Sequence, residues 1–218
     1  MSTESEGNLI TLVEKQKKNR NRYNIYVNDR YVFSVHEDIL VKNRLLKGEE
    51  INSKKIKQIV EDEEMQIVHR QAIRMISRRA NSRYELKQKL SEKGYEENQI
   101  EHTLDQLEST KYIDDYHYAL NLANYRIKHQ KKGLKWIEQE LSQKGINKVT
   151  ITQVIQELDK ELEYETAYLL AKKRWDKQSG ESTKKKSKIS SFLLRRGFEY
   201  SLIRNIIEKV EKEETNEW

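Results

Sequence analysis

The sequence predicts a mainly α-helical protein, an elongated tandem array of three three-helix repeats preceded by a small antiparallel β-meander. One apolar pattern that ends in glycine occurs three times along the chain. Proline is absent, so no residue forces a helix to break. Only 35% of the 218 residues are hydrophobic and 36% are charged, and this balance suits several small cores better than one large core.

The N-terminal segment has the pattern of a β-meander. "RYNIYV" and "RYVFSV" alternate apolar and polar residues around Asn28-Asp29, which is typical of a two-residue hairpin loop. "LITLVEKQ" can supply a third strand. We therefore assign residues 1–52 to a β-extension with a short helix that covers one end of the array, and predict a long helix from about Ser53 to Arg79.

The repeats are defined by Gly94, Gly145 and Gly197, which lie 51 and 52 residues apart. Each glycine follows an amphipathic helical pattern and precedes an apolar residue. A leucine stands four residues before each glycine: Leu90, Leu141 and Leu193. This spacing predicts a helix that ends in a Schellman motif, with glycine in the left-handed conformation and the next residue packed on the leucine.

A further helical pattern lies before each copy, so we predict three-helix domains at residues 53–110, 111–160 and 161–218. Ser82 and Glu85 have the spacing of a capping box at the middle helix of the first repeat. The third repeat carries a polar insert, "DKQSGESTKKK", between its first two helices.

The sequence offers few groups for catalysis. It has no cysteine and no phosphate-binding GxxxxGK[ST] loop, and its five histidines lack metal-ligand spacing. The adjacent carboxylates Asp114 and Asp115 are interpreted as caps of the first helix of the second repeat rather than as a catalytic or metal-binding pair. We expect a cytoplasmic protein that is not an enzyme and uses no cofactor or metal.

The charges are segregated along the chain, although the net charge is only +6. Residues 65–84, 116–137 and 182–198 contain no acidic residue, and these windows occupy the same region of each repeat. We expect them to form a discontinuous basic stripe that binds a polyanion, with ordinary solvation of charged faces as the alternative. The candidate contacts are Arg74, Arg78, Arg79, Arg83, Lys87, Arg126, Lys128, Lys131, Lys132, Lys135, Lys184, Lys185, Lys186, Arg195 and Arg196. Tyr84 and Tyr116 could stack on a partner or pack in a core.

Specific motifs in residues 65–210 resemble the RecX regulators of the bacterial RecA recombinase. They are Ser82 with Tyr84-Glu85-Leu86, Lys93-Gly94-Tyr95, Tyr112-Ile113-Asp114-Asp115, Tyr118-Ala119, Arg126, and Gly133 followed by Ile137, Glu140-Leu141 and Lys144-Gly145-Ile146. The segment "YNIYVNDRYVFSV" looks like the β-extension of Gram-positive members. Two departures stand out: Lys111 occupies a position where the family often has glycine, and the third repeat keeps only the apolar frame and its glycine.

The resemblance implies a monomeric regulator that binds RecA and its filament on single-stranded DNA. Such a protein would limit filament growth and lower the recombinase, ATPase and co-protease activities, with roles in DNA repair, homologous recombination and the SOS response. It would contact single-stranded or duplex DNA through the backbone and would not bind a membrane. The alternatives are a sequence-specific DNA-binding regulator that uses the helix-turn-helix-like turns, and a scaffold without a nucleic-acid partner.

Overall fold

The computed structural model describes residues 8–216, and over this range the chain folds as predicted into a small sheet followed by three three-helix repeats. The strands are β1 (Ile10–Lys15), β2 (Arg22–Val27) and β3 (Arg30–His36). A short helix, α1 (Glu37–Lys42), precedes the repeats. Their helices are α2 (Ser53–Ile76), α3 (Arg83–Ser91), α4 (Glu97–Ser109), α5 (Asp115–Gln130), α6 (Leu134–Gln143), α7 (Lys148–Glu157), α8 (Lys160–Trp175), α9 (Ser182–Arg195) and α10 (Tyr200–Asn216).

The N-terminal sheet is the predicted antiparallel meander, with the strand order β1-β2-β3. Asn28 and Asp29 have φ angles of 49° and 63°, as a type I′ hairpin loop requires. The sheet contributes Ile25 and Val35 to a core that also contains Ile59 of α2. The meander therefore packs on the first helix of the first repeat.

A buried carboxylate fixes this packing. Glu63 of α2 is only 5% exposed and accepts hydrogen bonds from Arg22 Nη1 at 2.9 Å and from the backbone N–H of His36 at 2.8 Å. Arg70 Nη2 adds a third bond at 3.1 Å. Because a buried carboxylate is costly without such partners, Glu63 holds β2, β3 and α2 in one arrangement.

All three repeat turns are Schellman motifs, which confirms the prediction. Gly94, Gly145 and Gly197 have φ angles of 82°, 73° and 84°. The residue after each glycine donates its N–H to the carbonyl of the leucine four residues before the glycine, at 3.5, 3.1 and 3.2 Å in chain order. Lys111 also takes a left-handed conformation, with φ 60°.

Internal contacts divide the chain into two compact units. One contains the residues up to Ser77 together with Leu90–Asp105, and the other contains Arg78–Lys89 together with the residues from Gln106 onward. The second unit therefore includes the N-terminal part of α3 and the whole of the second and third repeats.

Within the second unit, the start of one middle helix meets the turn of the following repeat, and this joint occurs twice. Ser82, just before α3, donates its hydroxyl to the carbonyl of Lys144 at 2.7 Å. Gly133, just before α6, donates its backbone N–H to the carbonyl of Arg196 at 2.9 Å. Ser82 and Gly133 each lie twelve residues before their own turn glycine, so the two joints are equivalent.

Close backbone approach explains the glycines at the second joint. A Cβ atom on Gly133 would lie 2.4 Å from the carbonyl oxygen of Gly197. A Cβ atom on Gly197 would lie 2.3 Å from the Cβ of Trp136. The two repeats can approach this closely only without side chains at these positions.

Each joint also places a carboxylate from the following repeat at the N-terminus of a middle helix. Asp115 Oδ1 accepts the N–H of Arg83 at 2.8 Å, and Glu163 Oε1 accepts the N–H of Leu134 at 2.9 Å. These N–H groups have no partner within their own helices. Burial raises the pKa of both carboxyl groups, although the hydrogen bonds oppose this shift.

The interpretation of the Asp114-Asp115 pair was half right. Asp114 is the N-cap of α5 and accepts the N–H of His117 at 3.0 Å, as predicted. Asp115 lies in the first turn of α5 but accepts its hydrogen bond from α3. The sequence could not reveal this role, because the donor is 32 residues away.

Substituting alanine for Gly133 should destabilise the second joint. Its φ of −83° is ordinary, so the cost comes from the contact with the backbone of Gly197 and Phe198. We expect the free energy of unfolding in urea to fall by about 2–3 kcal/mol. Gly94→Ala is the control, because open space surrounds Gly94 and only its left-handed backbone is affected, at about 1 kcal/mol. A loss for Gly133→Ala that does not exceed this value would contradict the close approach.

The two adjacent aspartates should respond oppositely to pH. The N–H of His117 lowers the pKa of Asp114, so its contribution to stability is present above the unfolded pKa of about 4 and is lost as the pH falls through the lower folded pKa. Burial raises the pKa of Asp115, so its contribution is full below about pH 4 and is lost as the pH rises through the folded pKa.

Urea unfolding of Asp114→Asn and Asp115→Asn between about pH 3 and 7 tests this assignment. As the pH rises, the unsubstituted protein should gain stability relative to Asp114→Asn and lose it relative to Asp115→Asn. The same direction in both variants would contradict the assignment of the two caps.

Candidate partner-binding surface

The second and third acid-free windows meet at the joint between the second and third repeats. Arg196 Nη1 donates to the backbone carbonyls of Gln130 at 2.9 Å and Lys131 at 3.1 Å. Lys131 ends α5 in a left-handed conformation, with φ 55°. The backbone N–H of Lys135 adds a bond to the carbonyl of Gly197 at 3.0 Å. These contacts place Lys131, Lys135 and Arg196 at the joint, and Lys132 follows Lys131 directly. Together with Lys128 and Arg195, which are near them in the sequence, we call these residues the junction basic surface.

Most of this surface faces solvent. Lys128, Lys131 and Arg195 are exposed. Lys132 lies over the ring of Trp136, with its ammonium nitrogen 4.0 Å from the ring centroid, which holds the charge in place without cancelling it. Lys135 forms an exposed ion pair with Glu199 at 3.7 Å, and such a pair is readily exchanged for another partner.

Arg126, by contrast, is neutralised within the second repeat. Its Nε donates to Glu140 Oε2 at 2.7 Å, and its side chain is only 18% exposed. The hydrogen bond to Glu140 raises the pKa of the guanidinium. This geometry gives Arg126 a structural role in holding α5 against α6.

Lys184, Lys185 and Lys186 of the third window are paired inside the third repeat. Lys185 contacts Glu214 at 3.0 Å and Lys186 contacts Glu211 at 2.7 Å, both on α10. Hydrogen bonds from these lysines lower the pKa of both carboxyl groups. Lys184 lies 3.6 Å from Glu181.

The basic residues of the first repeat are distributed differently. Arg79 lies 3.5 Å from Glu85, and Arg83 pairs with Glu108 at 2.8 Å. Lys87 is half-buried on α3. Arg78 is exposed in the second unit, whereas Arg74 is exposed on α2 in the first unit. These residues are not brought into the junction basic surface.

The two tyrosines also differ. Tyr84 is 44% exposed, and its side chain occupies the space beside Gly145. Tyr116 packs against the core of the second repeat and hydrogen-bonds to Glu157. Tyr84 therefore contributes to the first joint, and Tyr116 contributes to core packing.

The structure adds three basic residues that sequence analysis missed. Lys173, Arg174 and Lys177 line a groove of about 420 Å³ between α8 and α9, together with Leu170, Gln178, Phe192 and Arg196. We call it the α8–α9 groove. The search for acid-free windows passed over these residues because Asp176 interrupts them in the sequence. Asp176 instead pairs with Lys172 at 3.7 Å.

Two further searches cover residues 8–216 only. In this part of the chain, no three His, Asp or Glu side chains come close enough to hold a metal ion. No helix among these residues combines the length and the apolar character that crossing a membrane requires.

Comparisons with known proteins match the N-terminal meander and each of the three repeats. Four family models match successive segments: the regulatory protein RecX N-terminal domain at residues 8–52, and the first, second and third RecX three-helix domains at residues 69–107, 114–155 and 161–207. A crystal structure of regulatory protein RecX has a TM-score of 0.78 and 29% identity, and the match covers 92% of this chain and 99% of that one. A crystal structure of RecX from Lactobacillus salivarius has a TM-score of 0.65 and 26% identity, over 68% of this chain and 97% of that one.

Similar full-length sequences give the same result. Regulatory protein RecX of Clostridioides difficile (strain 630) is 37% identical over 203 residues, which are 93% of this chain and 95% of that protein. Regulatory protein RecX of Bacillus cytotoxicus (strain DSM 22905 / CIP 110041 / 391-98 / NVH 391-98) is 32% identical over 210 residues, which are 94% of this chain and 78% of that protein. With every domain matched in order, the chain belongs to the RecX family of regulatory proteins.

Proposed function

We propose that this protein is a non-enzymatic, cytoplasmic regulator that binds RecA and the RecA filament on single-stranded DNA. By occupying the filament it inhibits filament growth and lowers the recombinase, ATPase and co-protease activities. The observation that carries the proposal is the junction basic surface, which two repeats of a RecX-family chain build together. The protein acts as a monomer and without a cofactor.

The charge of this surface suits a nucleoprotein partner. A RecA filament combines protein carboxylates with DNA phosphates, and several exposed cations can contact both. Exposed contacts of this kind accelerate association and weaken as salt rises. Any DNA contact would therefore be made to the backbone of single-stranded or duplex DNA, without reading its sequence.

The sequence-specific DNA-binding alternative receives less support from the helices that follow the turns. In a helix-turn-helix, the second helix enters the major groove. In the first repeat that helix is α4, which carries four acidic residues and no lysine or arginine. Phosphates would repel it. The turn at Gly145 packs beside Tyr84, and the turn at Gly197 packs beside Trp136.

Inhibition of RecA ATP hydrolysis on single-stranded DNA tests the proposal. The protein should inhibit at well below one molecule per RecA. Lys128, Lys131 and Arg195 are exposed, but they lie at helix C-termini, where glutamate would be unfavourable. Their joint replacement by glutamine should therefore leave the fold intact and raise the amount needed for half-inhibition at least about tenfold.

The matched control replaces Lys54, Lys93 and Lys148 with glutamine. These three lysines are exposed and lie outside the junction basic surface, and the net charge changes equally. The control should inhibit like the unsubstituted protein. Equal inhibition by both triple variants would contradict the surface assignment. Inhibition only when the protein coats all the DNA would indicate competition for phosphate instead.

A further inference from the structure

The second and third repeats differ in what their middle helix places opposite an equivalent arginine. Arg126 and Arg174 each lie eleven residues after the carboxylate that caps the preceding repeat, Asp115 or Glu163, so they are equivalent. Five residues before the turn glycine, the second repeat has Glu140 and the third has Phe192. The arginine of the third repeat therefore has no equivalent carboxylate.

This exchange changes what the arginine contacts. Arg126 pairs with Glu140, whereas the guanidinium carbon of Arg174 lies 3.6 Å from the ring centroid of Phe192. A guanidinium stacked on a ring keeps its charge and leaves its N–H edge available for a planar, bidentate acceptor. Arg174 is exposed, so an external oxyanion can reach it.

The rest of the α8–α9 groove reinforces this positive charge. Lys173, Lys177 and Arg196 contribute three more cations, and no acidic side chain lines this groove in the part of the chain that the structure describes. Leu170 and Phe192 are half-buried and form an apolar floor. The groove thus combines a cationic rim with an apolar base.

We propose that the α8–α9 groove binds an acidic peptide segment that carries an apolar side chain. Carboxylates would pair with Arg174 and the flanking lysines, and the apolar side chain would lie on Leu170 and against the part of Phe192 that remains exposed. A nucleic acid fits less well. Arg174 and Arg196 lie over the Phe192 ring at 3.6 and 5.0 Å and take the place of a stacked base, and a phosphodiester gains nothing from an apolar floor. The inference stands on the groove alone and does not rest on RecA binding.

Fluorescence anisotropy with the full chain tests the proposal using three labelled probes. The first is a peptide of Asp and Glu with leucine at every fourth position. In the second, serine replaces each leucine, and the third is an oligothymidylate of equal length. At about 0.15 M salt, the leucine peptide should bind at least about tenfold more tightly than the serine peptide.

Phe192→Glu is the decisive variant, because it recreates the pair that Glu140 forms with Arg126. It should weaken binding of the leucine peptide at least about tenfold when measured well below the thermal unfolding midpoint of the variant. Leu194→Glu is the matched control, since it adds the same charge at an exposed position of the same helix outside the groove lining. A second variant, Arg174→Ala with Lys177→Ala, should reproduce the loss without changing Phe192.

Three outcomes would overturn the proposal. Equal affinity for the leucine and serine peptides would show that the apolar floor does not contribute to binding. Equal losses of peptide affinity in Phe192→Glu and Leu194→Glu would show that the overall charge of the protein, and not the groove, explains binding. A larger effect of Phe192→Glu on the oligothymidylate than on the peptide would make the groove a nucleic-acid site. None of these assays contains RecA, so the proposed regulation of RecA is tested separately.

Discussion

The joints between repeats depend on one constraint: the first N–H groups of a helix have no acceptor inside that helix. At α3 and α6 the missing acceptor is Asp115 or Glu163 of the following repeat. Each repeat therefore completes the one before it. At α9 the carboxylates of α10 meet side chains instead of backbone N–H groups, and Glu211 accepts the hydroxyl of Ser182 at 2.7 Å. Carboxylates supplied by distant helices also decide which charges are available to a partner.

The charges available at the surface follow from this arrangement. Because α10 supplies carboxylates to the start of α9, Lys185 and Lys186 are held in ion pairs, although their sequence window looks as basic as the others. Lys131 and Arg196 lie at the joint itself, where helix ends and a glycine turn leave no room for further side chains. Exposed cations therefore lie where two repeats meet, and a partner that contacts them also contacts the part that sets the geometry between repeats.

The sequence predicted features that depend on neighbours within a few residues. The three Schellman turns, the Asn28-Asp29 loop and the Ser82–Glu85 capping box are local, and all are present. Interactions between distant residues were not predictable in the same way. Glu63 meets Arg22 across 41 positions, and the pairs that hold Lys185 and Trp175 to Glu214 span 29 and 39 positions. Charge windows read along the chain cannot detect such pairs, nor the stacking of Arg174 on Phe192.

The difference between Arg126 and Arg174 shows how one frame can serve two purposes. Tandem repeats share a scaffold in which the first helix presents an arginine to the middle helix. A glutamate opposite that arginine closes the pair and stabilises the repeat, as at Glu140. A phenylalanine keeps the packing, because the guanidinium stacks on the ring, but leaves the positive charge uncompensated by the scaffold. Packing in the third repeat does not require a carboxylate opposite Arg174, so the charge of Arg174 can be presented to a partner. The second repeat instead uses the charge of Arg126 to hold α5 against α6.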